Sequence, residues 1–435
     1  MKGSDNITER TYEWITDDSE QRICENISEK ACKETPYNFF KNVSSGSLSK
    51  LAEQLVSPGT TLPWIFSVLG VPHGFIGALV PIKDAGSLLP QLFVSAKIRA
   101  YPRRKWFWVI PAWIQAIALL AMGFAVLNSE GPTAGWLILG TLLLFSISSG
   151  VGSISFKDVT AKTISKGKRG QLLAMRASIG GIFTLFAGLF LFGGFVNEKD
   201  QQTLFWLVIS GAILWFISGF MFSLIIEEKG ATSGGRTPVE EVKNAWIFWK
   251  KDKNLRRFII TRGLLMAIPL AQPFFVILGN QEVGDQVSTL GLIVIASGLA
   301  GVISSPFWGR FADKSSKKLM LVVTILGMAN ISLMASFPLW PENFKNSYSF
   351  SFLFLVQVMA HGGARLSRKT YLLDFAPDDD RPSYVSLSNT AIGIFTLIAA
   401  FLGSLASIIG VPLMLLLYAF LLLMAFLSGN KLKEV

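Results

Sequence analysis

Residues 171–194 read QLLAMRASIGGIFTLFAGLFLFGG, and residues 384–408 read YVSLSNTAIGIFTLIAAFLGSLASI. Each is apolar over the length a helix needs to cross a hydrocarbon layer, about 20 residues. Both contain GIFTL, at 181–185 and at 393–397, a spacing of 212 residues. Sliding the chain on itself by that offset aligns 150–187 with 362–399 without a gap. Gly150 meets Gly362, Ser155 meets Ser367, Lys157 meets Lys369, Arg169 meets Arg381 and Ala187 meets Ala399. With GIFTL these make ten identities in 38 positions. Two such copies half a chain apart point to a duplicated membrane unit, a common plan for transporters.

Outward from these two segments, further apolar runs follow one another along 435 residues. They lie at 61–81, 84–99, 106–127, 134–155, 171–194 and 203–226, then at 258–279, 287–308, 319–338, 349–366, 384–408 and 411–429. The expected fold is an all-α integral membrane protein of about twelve transmembrane helices in two pseudo-symmetric six-helix bundles. Composition agrees: 51% of residues are hydrophobic and 16% charged, against about a quarter charged in soluble proteins. The net charge of +11 does not mark a nucleic-acid binder, because the bases sit in breaks between apolar runs. One set of alternate loops holds 28 Lys and Arg, and the opposite set only Lys83, Lys199 and Lys345. Basic loops stay on the cytoplasmic side. Both termini are therefore expected there, with the chain in the plasma (inner) membrane.

Four regions follow. Residues 1–59 read as a polar cytoplasmic tail with a short amphipathic helix at 47–55; 60–226 form the first bundle; 227–257 form a cytoplasmic linker; 258–435 form the second bundle. The linker holds VEEVKNAWIFWKKDKNLRR, whose apolar residues Val239, Val242, Ala245, Trp246, Phe248 and Trp249 read as an amphipathic surface helix. Residues 1–46 lack the apolar core of a signal peptide. The two cysteines, Cys24 and Cys32, read as plain thiols rather than a zinc site or a disulfide framework. No cofactor or metal is expected.

The segment GRFADKSSKK at 309–318 resembles the loop signature of the major facilitator superfamily: Gly309, an acidic Asp313 four positions on, then Lys317 and Lys318. The resemblance, supported by helix count and repeat, covers about 60–430 and implies that Asp313 and its basic neighbours latch the inner helix ends in one transport state. The first-half copy, SAKIRAYPRRK at 95–105, departs from the pattern. Ser95 stands for the first Gly, Arg99 for Asp and Pro102 for the second Gly, while Arg103, Arg104 and Lys105 are retained. SLLPQL after VPIKD is also similar to bacterial members of unassigned substrate.

Ionisable groups inside spans are costly and mark function by default. His73 reads as mid-span in span one and His361 as lying in span ten; by the resemblance, spans one, four, seven and ten line the central cavity. Each imidazole either carries a coupling proton or donates to a helix carbonyl. Arg176 and Arg262 either snorkel to the interface or hold a carboxylate or phosphate in bidentate fashion. Gln115, Gln272 and Gln357 are neutral candidates for orienting a solute, with Gln272 and Gln357 favoured by depth. Lys83 and Asp84 read as the tight outer turn between spans one and two, Asp84 as an N-cap. With no acid then left in mid-span, an anionic or neutral organic solute is favoured over a cation.

These readings point to a secondary active transporter of a small organic solute, expected to be a monomer and open to proton coupling. The alternative is a transporter-derived sensor or scaffold without flux. The chain holds no GxxxxGK[ST] loop for an ATP-driven pump and no HExxH-type cluster for a membrane enzyme.

Overall fold

A computed structural model describes residues 7–16, 27–98, 101–165, 168–193, 201–229, 247, 249–284, 286–312, 314–377 and 381–434. Among these the chain is helical, with no strand. The helices are α1 (Ile7–Thr16), α2 (Glu29–Leu55), α3 (Thr61–Val68), α4 (His73–Ile98), α5 (Trp106–Asn128), α6 (Gly131–Thr163), α7 (Arg169–Phe192) and α8 (Gln201–Ser223). After the linker come α9 (Lys253–Leu264), α10 (Ala267–Val283), α11 (Val287–Ala312), α12 (Ser316–Ala335), α13 (Ser347–Phe375), α14 (Arg381–Ser404), α15 (Ala406–Ile409) and α16 (Val411–Asn430). Among the described residues nine helical stretches, with α9 and α10 taken as one, are long and apolar enough to cross a membrane. The protein is an integral membrane protein.

Starts follow local chemistry. Ser28 Oγ accepts the Ala31 N–H at 3.1 Å at the head of α2, Asp252 accepts from Asn254 and Leu255 at 2.8 and 3.0 Å before α9, and Asn346 caps α13 at 3.1 and 3.0 Å. A side-chain oxygen there satisfies amides that have no partner inside the helix.

The two halves share one packing plan. In the first, α2 packs on α7 and α8, α5 on α6 and α8, and α4 on α6. In the second, α9 and α10 pack on α16, α9 on α14, α12 on α13 and α16, and α11 on α13. The glycines paired by the sequence repeat do matching jobs. A side chain at Gly150 of α6 would run into the Ser87 backbone of α4, and one at Gly362 of α13 into Ser304 of α11.

Contact between the halves is also symmetric: α4 meets α14, and α7 meets α11. These seams are close at one end. A Cβ on Gly77 would collide with Gly403 backbone, and one on Gly188 with Ile295. At the same end α3 and α4 lean on α10, and Gln281 Nε2 lies 3.4 Å from His73 Nε2. Neither α2 nor α9 has comparable packing across the halves, so the gap between them widens toward the basic loops.

The start of the chain differs from the sequence reading. The turn expected at Lys83–Asp84 falls instead at Leu69–Pro72, where Gly70 takes φ +64° and the Leu69 carbonyl accepts from Gly131 N at 2.8 Å. Residues 73–98 are then one helix, through Pro81 and Pro90. The 47–55 segment is the end of the 27-residue α2, whose Asn42, Ser45, Ser49 and Ala52 are buried. The reason is physical: hydropathy reports sides that meet lipid, whereas α2 turns small and polar residues toward α7 and α8. Cys32 is disulfide-bonded, where the sequence favoured free thiols. The linker surface helix lies largely outside the described residues.

Candidate functional site

Three helices present matching faces to the space between the halves. On α2, Gly46, Lys50 and Glu53 follow i, i+4, i+7 spacing, so they stand above one another. On α6, Ser149, Ser153 and Lys157 follow i, i+4, i+8 and likewise share a face. The 212-residue offset maps Ser149, Ser153, Phe156 and Lys157 onto His361, Arg365, Arg368 and Lys369 of α13. What is neutral on one wall is therefore largely cationic on the other.

Lys83 and Asp84 add to this set from the middle of α4, some three helical turns along from His73. Lys83 Nζ lies 5.1 Å from the centre of the Phe145 ring. Arg368 feels the charge of Asp84, Lys50 that of Glu53, Arg365 and Lys83, and Lys369 those of Lys157 and Arg262. These pairs span both halves. The interior thus gathers eight cations (Lys50, Lys83, Lys157, Arg176, Arg262, Arg365, Arg368, Lys369) against two carboxylates, Glu53 and Asp84. Among the described residues none of the ten forms an ion pair within 4 Å.

The candidate residues fall into place unequally. Arg176 of α7 donates to Asn42, reaching its backbone carbonyl at 3.3 Å, and lies 4.3 Å over the Phe156 ring. Arg262 of α9 donates to Ser388 Oγ at 2.6 Å and Asn389 Oδ1 at 2.9 Å on α14. Neither arginine snorkels; each ties a broken helix pair to its neighbour. Gln272 of α10 sits 3.4 Å from His361 Nδ1 and also approaches Gly59, in the break between α2 and α3, from the other half. Gln357 is fully buried; it donates to the Ile268 carbonyl at 2.8 Å and accepts from Asn330 at 3.1 Å. It braces the break between α9 and α10. His73 stands at the first residue of α4, at the end where the halves close, rather than mid-span.

The loop motif is only partly visible, since Asp313 lies outside the described residues. Gly309 has open space around it. Lys317 lies 3.6 Å from Glu434, Ser315 Oγ donates to Glu434 at 2.6 Å, and the Lys318 amide donates to Ser315 Oγ at 3.1 Å. Ser315 holds the Glu434 carboxyl below the usual carboxylate range. In the first half, where the expected acid is missing, Glu227 at the end of the α8 segment supplies one. Its buried carboxylate accepts from the amides of Arg104 (2.8 Å) and Lys105 (2.7 Å) and from Lys162 Nζ at 2.9 Å. Arg104 also pairs with Asp158 at 3.0 Å, while Lys105 Nζ donates to the Ser223 and Ile225 carbonyls. Arg103 is exposed.

Lys50, Glu53 and Asp84 were not read as interior groups. The signal was there for α2: SSGSLSKLA sets small residues at helical spacing, the mark of a helix packed closely inside a membrane bundle.

The Major Facilitator Superfamily model matches residues 270–430. An uncharacterized protein of Mycobacterium tuberculosis is 21% identical over 386 residues, 85% of this chain and 72% of that protein. The staphyloferrin B transporter of Staphylococcus aureus is 26% identical over 163 residues, 37% of each chain. Among solved structures, a point mutant of the nucleoside transporter NupG superposes with a TM-score of 0.71 at 14% identity, over 91% of this chain and 99% of that one. The D-xylose–proton symporter does so at 0.63 and 13%, over 91% and 99%. Fold, repeat and family model point the same way: residues 270–430 match the Major Facilitator Superfamily, and the whole chain shares the fold of the transporters it superposes on.

Proposed function

We propose that the protein is a secondary transporter of a small organic anion, moved by alternating access between two six-helix halves. In this reading the chain crosses the inner membrane twelve times: α2 with α3, and α9 with α10, each make one broken crossing, and both termini face the cytoplasm. The broken crossings are of the kind that builds substrate sites from discontinuous helices at repeat interfaces. The first half then begins within α2 rather than at residue 60. The observation that carries the anionic assignment is the unpaired interior charge, eight cations against two carboxylates. Like charges gathered around one space between the halves repel one another unless a counter-charge arrives. An anionic solute supplies it and is held most strongly where both walls contribute. The staphyloferrin B transporter, similar over part of the chain, supports the transport reading.

Uptake of labelled organic acids into proteoliposomes tests this. Saturable flux of an acid, lost in Lys50→Met and Arg368→Met, is expected; selective flux of amines overturns it. Of the two histidines only His361 lies in this interior. His361→Gln, and not His73→Gln, is therefore expected to weaken uptake of the acid.

A further inference from the structure

The first half contains a cavity of about 380 Å³ lined by α2, α5, α6, α7 and α8. Its volume falls in the range of small-molecule sites, and at about 30 Å³ per water it holds roughly a dozen water-sized groups. Lys50, Lys157 and Arg176 line it, with Glu53 the one acid in its wall. Lys50 and Lys157 are exposed and stand on the side facing α13, where they feel Arg365 and Lys369 respectively. The cavity is thus a side lobe of the space between the halves, reaching back to α5 and α8.

Two residues of its wall, Gln115 of α5 and Trp215 of α8, are 2% and 5% exposed. Gln115 Nε2 and Trp215 Nε1 are enclosed and have no acceptor among the described residues. A buried donor without a partner costs about 1–3 kcal/mol, so native proteins rarely tolerate one. Here two such donors belong to side chains of one cavity wall. The indole N–H has no alternative role, since it can only donate. Trp215 is held against Phe145, 5.6 Å away and edge-on, and near Trp108, so its ring cannot turn aside to find another partner. Both orphan groups are donors, and the charged wall is net cationic. That combination asks for acceptor oxygens carrying negative charge.

We infer that this lobe is an oxyanion subsite: the carboxylate of the solute enters it and accepts hydrogen bonds from Gln115 Nε2 and Trp215 Nε1, with Arg176 and Lys50 supplying charge. The inference rests on the transport reading and deepens it, but its site lies inside one half rather than between the two.

Bromide is the probe, because it marks an anion site by anomalous scattering whether or not the protein transports anything. Crystals of the full chain soaked in bromide should show a peak at Gln115 and Trp215. The double variant Gln115→Met, Trp215→Phe keeps ring and volume while removing both donors, and should lose that peak. Trp113→Phe, which removes an unpartnered indole N–H outside the cavity, should retain it. Thermal unfolding of each variant checks folding. In proteoliposomes Trp215→Phe alone should raise the KM for a transported acid by about 10- to 100-fold, the worth of one hydrogen bond to a charge. No peak in the lobe of the wild type while bromide occupies other positions, or a peak that survives the double variant, overturns the subsite. A peak present without any anion flux leaves the subsite standing and overturns the transport reading instead.

Discussion

The two halves share a packing plan and differ in what fills their centres. In the second, two central amides close on each other, Gln357 joining the Ile268 carbonyl to Asn330, which also donates to the Leu353 carbonyl at 3.0 Å, while Asn280 toward the end of α10 keeps a buried, unpaired amide. In the first, the corresponding depth holds a cavity whose amide and indole donors are unpaired. The ends at the basic loops also differ. Glu227 is enclosed and takes donors from two helices, whereas Glu434 is largely solvated. One half is braced at its centre and loosely tied at its inner edge; the other is tightly tied at the edge and open at the centre. The helix packing repeats between the halves, while the side chains divide the work.

That contrast can be broken by mutation. Glu227→Ala should have the largest effect on stability, about 3–5 kcal/mol, because Lys162 and two helix-start amides lose a buried charged partner. Thermal unfolding in detergent measures it; a loss below about 1 kcal/mol would mean the first-half tie is ornamental. Gln357→Leu should cost about 2–3 kcal/mol, since it removes a donor to the Ile268 carbonyl and leaves one N–H of the Asn330 amide without its acceptor. Gln115→Met should cost almost nothing or stabilise, because the amide it removes is already unpaired. Equal losses in the two would erase the distinction between a braced and an open centre. The smallest effect belongs to Glu434→Gln. The folded Glu434 carboxyl lies below its usual range, so its contribution exists at neutral pH, above the unfolded carboxyl pKa, and disappears as pH falls through the folded value. The melting difference between wild type and variant should shrink to nothing in acid; a difference that grows in acid contradicts the contact.

Much of this was legible in the sequence. The GIFTL repeat located the α7 and α14 pair, and Gly150 and Gly362 turned out to be matched helix contacts. Apolar runs found the helices whose sides meet lipid, from α5 to α8 and again from α11 to α16. What failed was the first crossing. α2 carries Lys41, Lys50 and Glu53, and no hydropathy window accepts such a segment, although a helix surrounded by other helices needs no apolar coat. Losing it displaced the next boundary to the charges at Lys83–Asp84. His73 moved to mid-span and Asp84 to a loop as a consequence. The cation-rich interior was hidden for a similar reason: Arg365, Arg368 and Lys369 read as loop bases, yet α13 continues past them to Phe375. Trp215 gave no signal at all, since nothing in a sequence tells a lipid-facing indole from one at a cavity wall.

Closure at the end of the seam away from the basic loops offers a separate handle. Gly77→Leu would force α4 from α14 where their backbones touch, and should raise labelling of single cysteines near that end by several-fold, because packed cores separate as units. Unchanged labelling would place the seal elsewhere.

The most direct test of the central claim is uptake by proteoliposomes of paired solutes matched in size, one a carboxylate and the other an amine. The account predicts saturable entry of the acid, abolished when Lys50 and Arg368 are both changed to Met while the protein still folds. Preferential entry of the amine, or acid flux that is indifferent to those two cations, would contradict it.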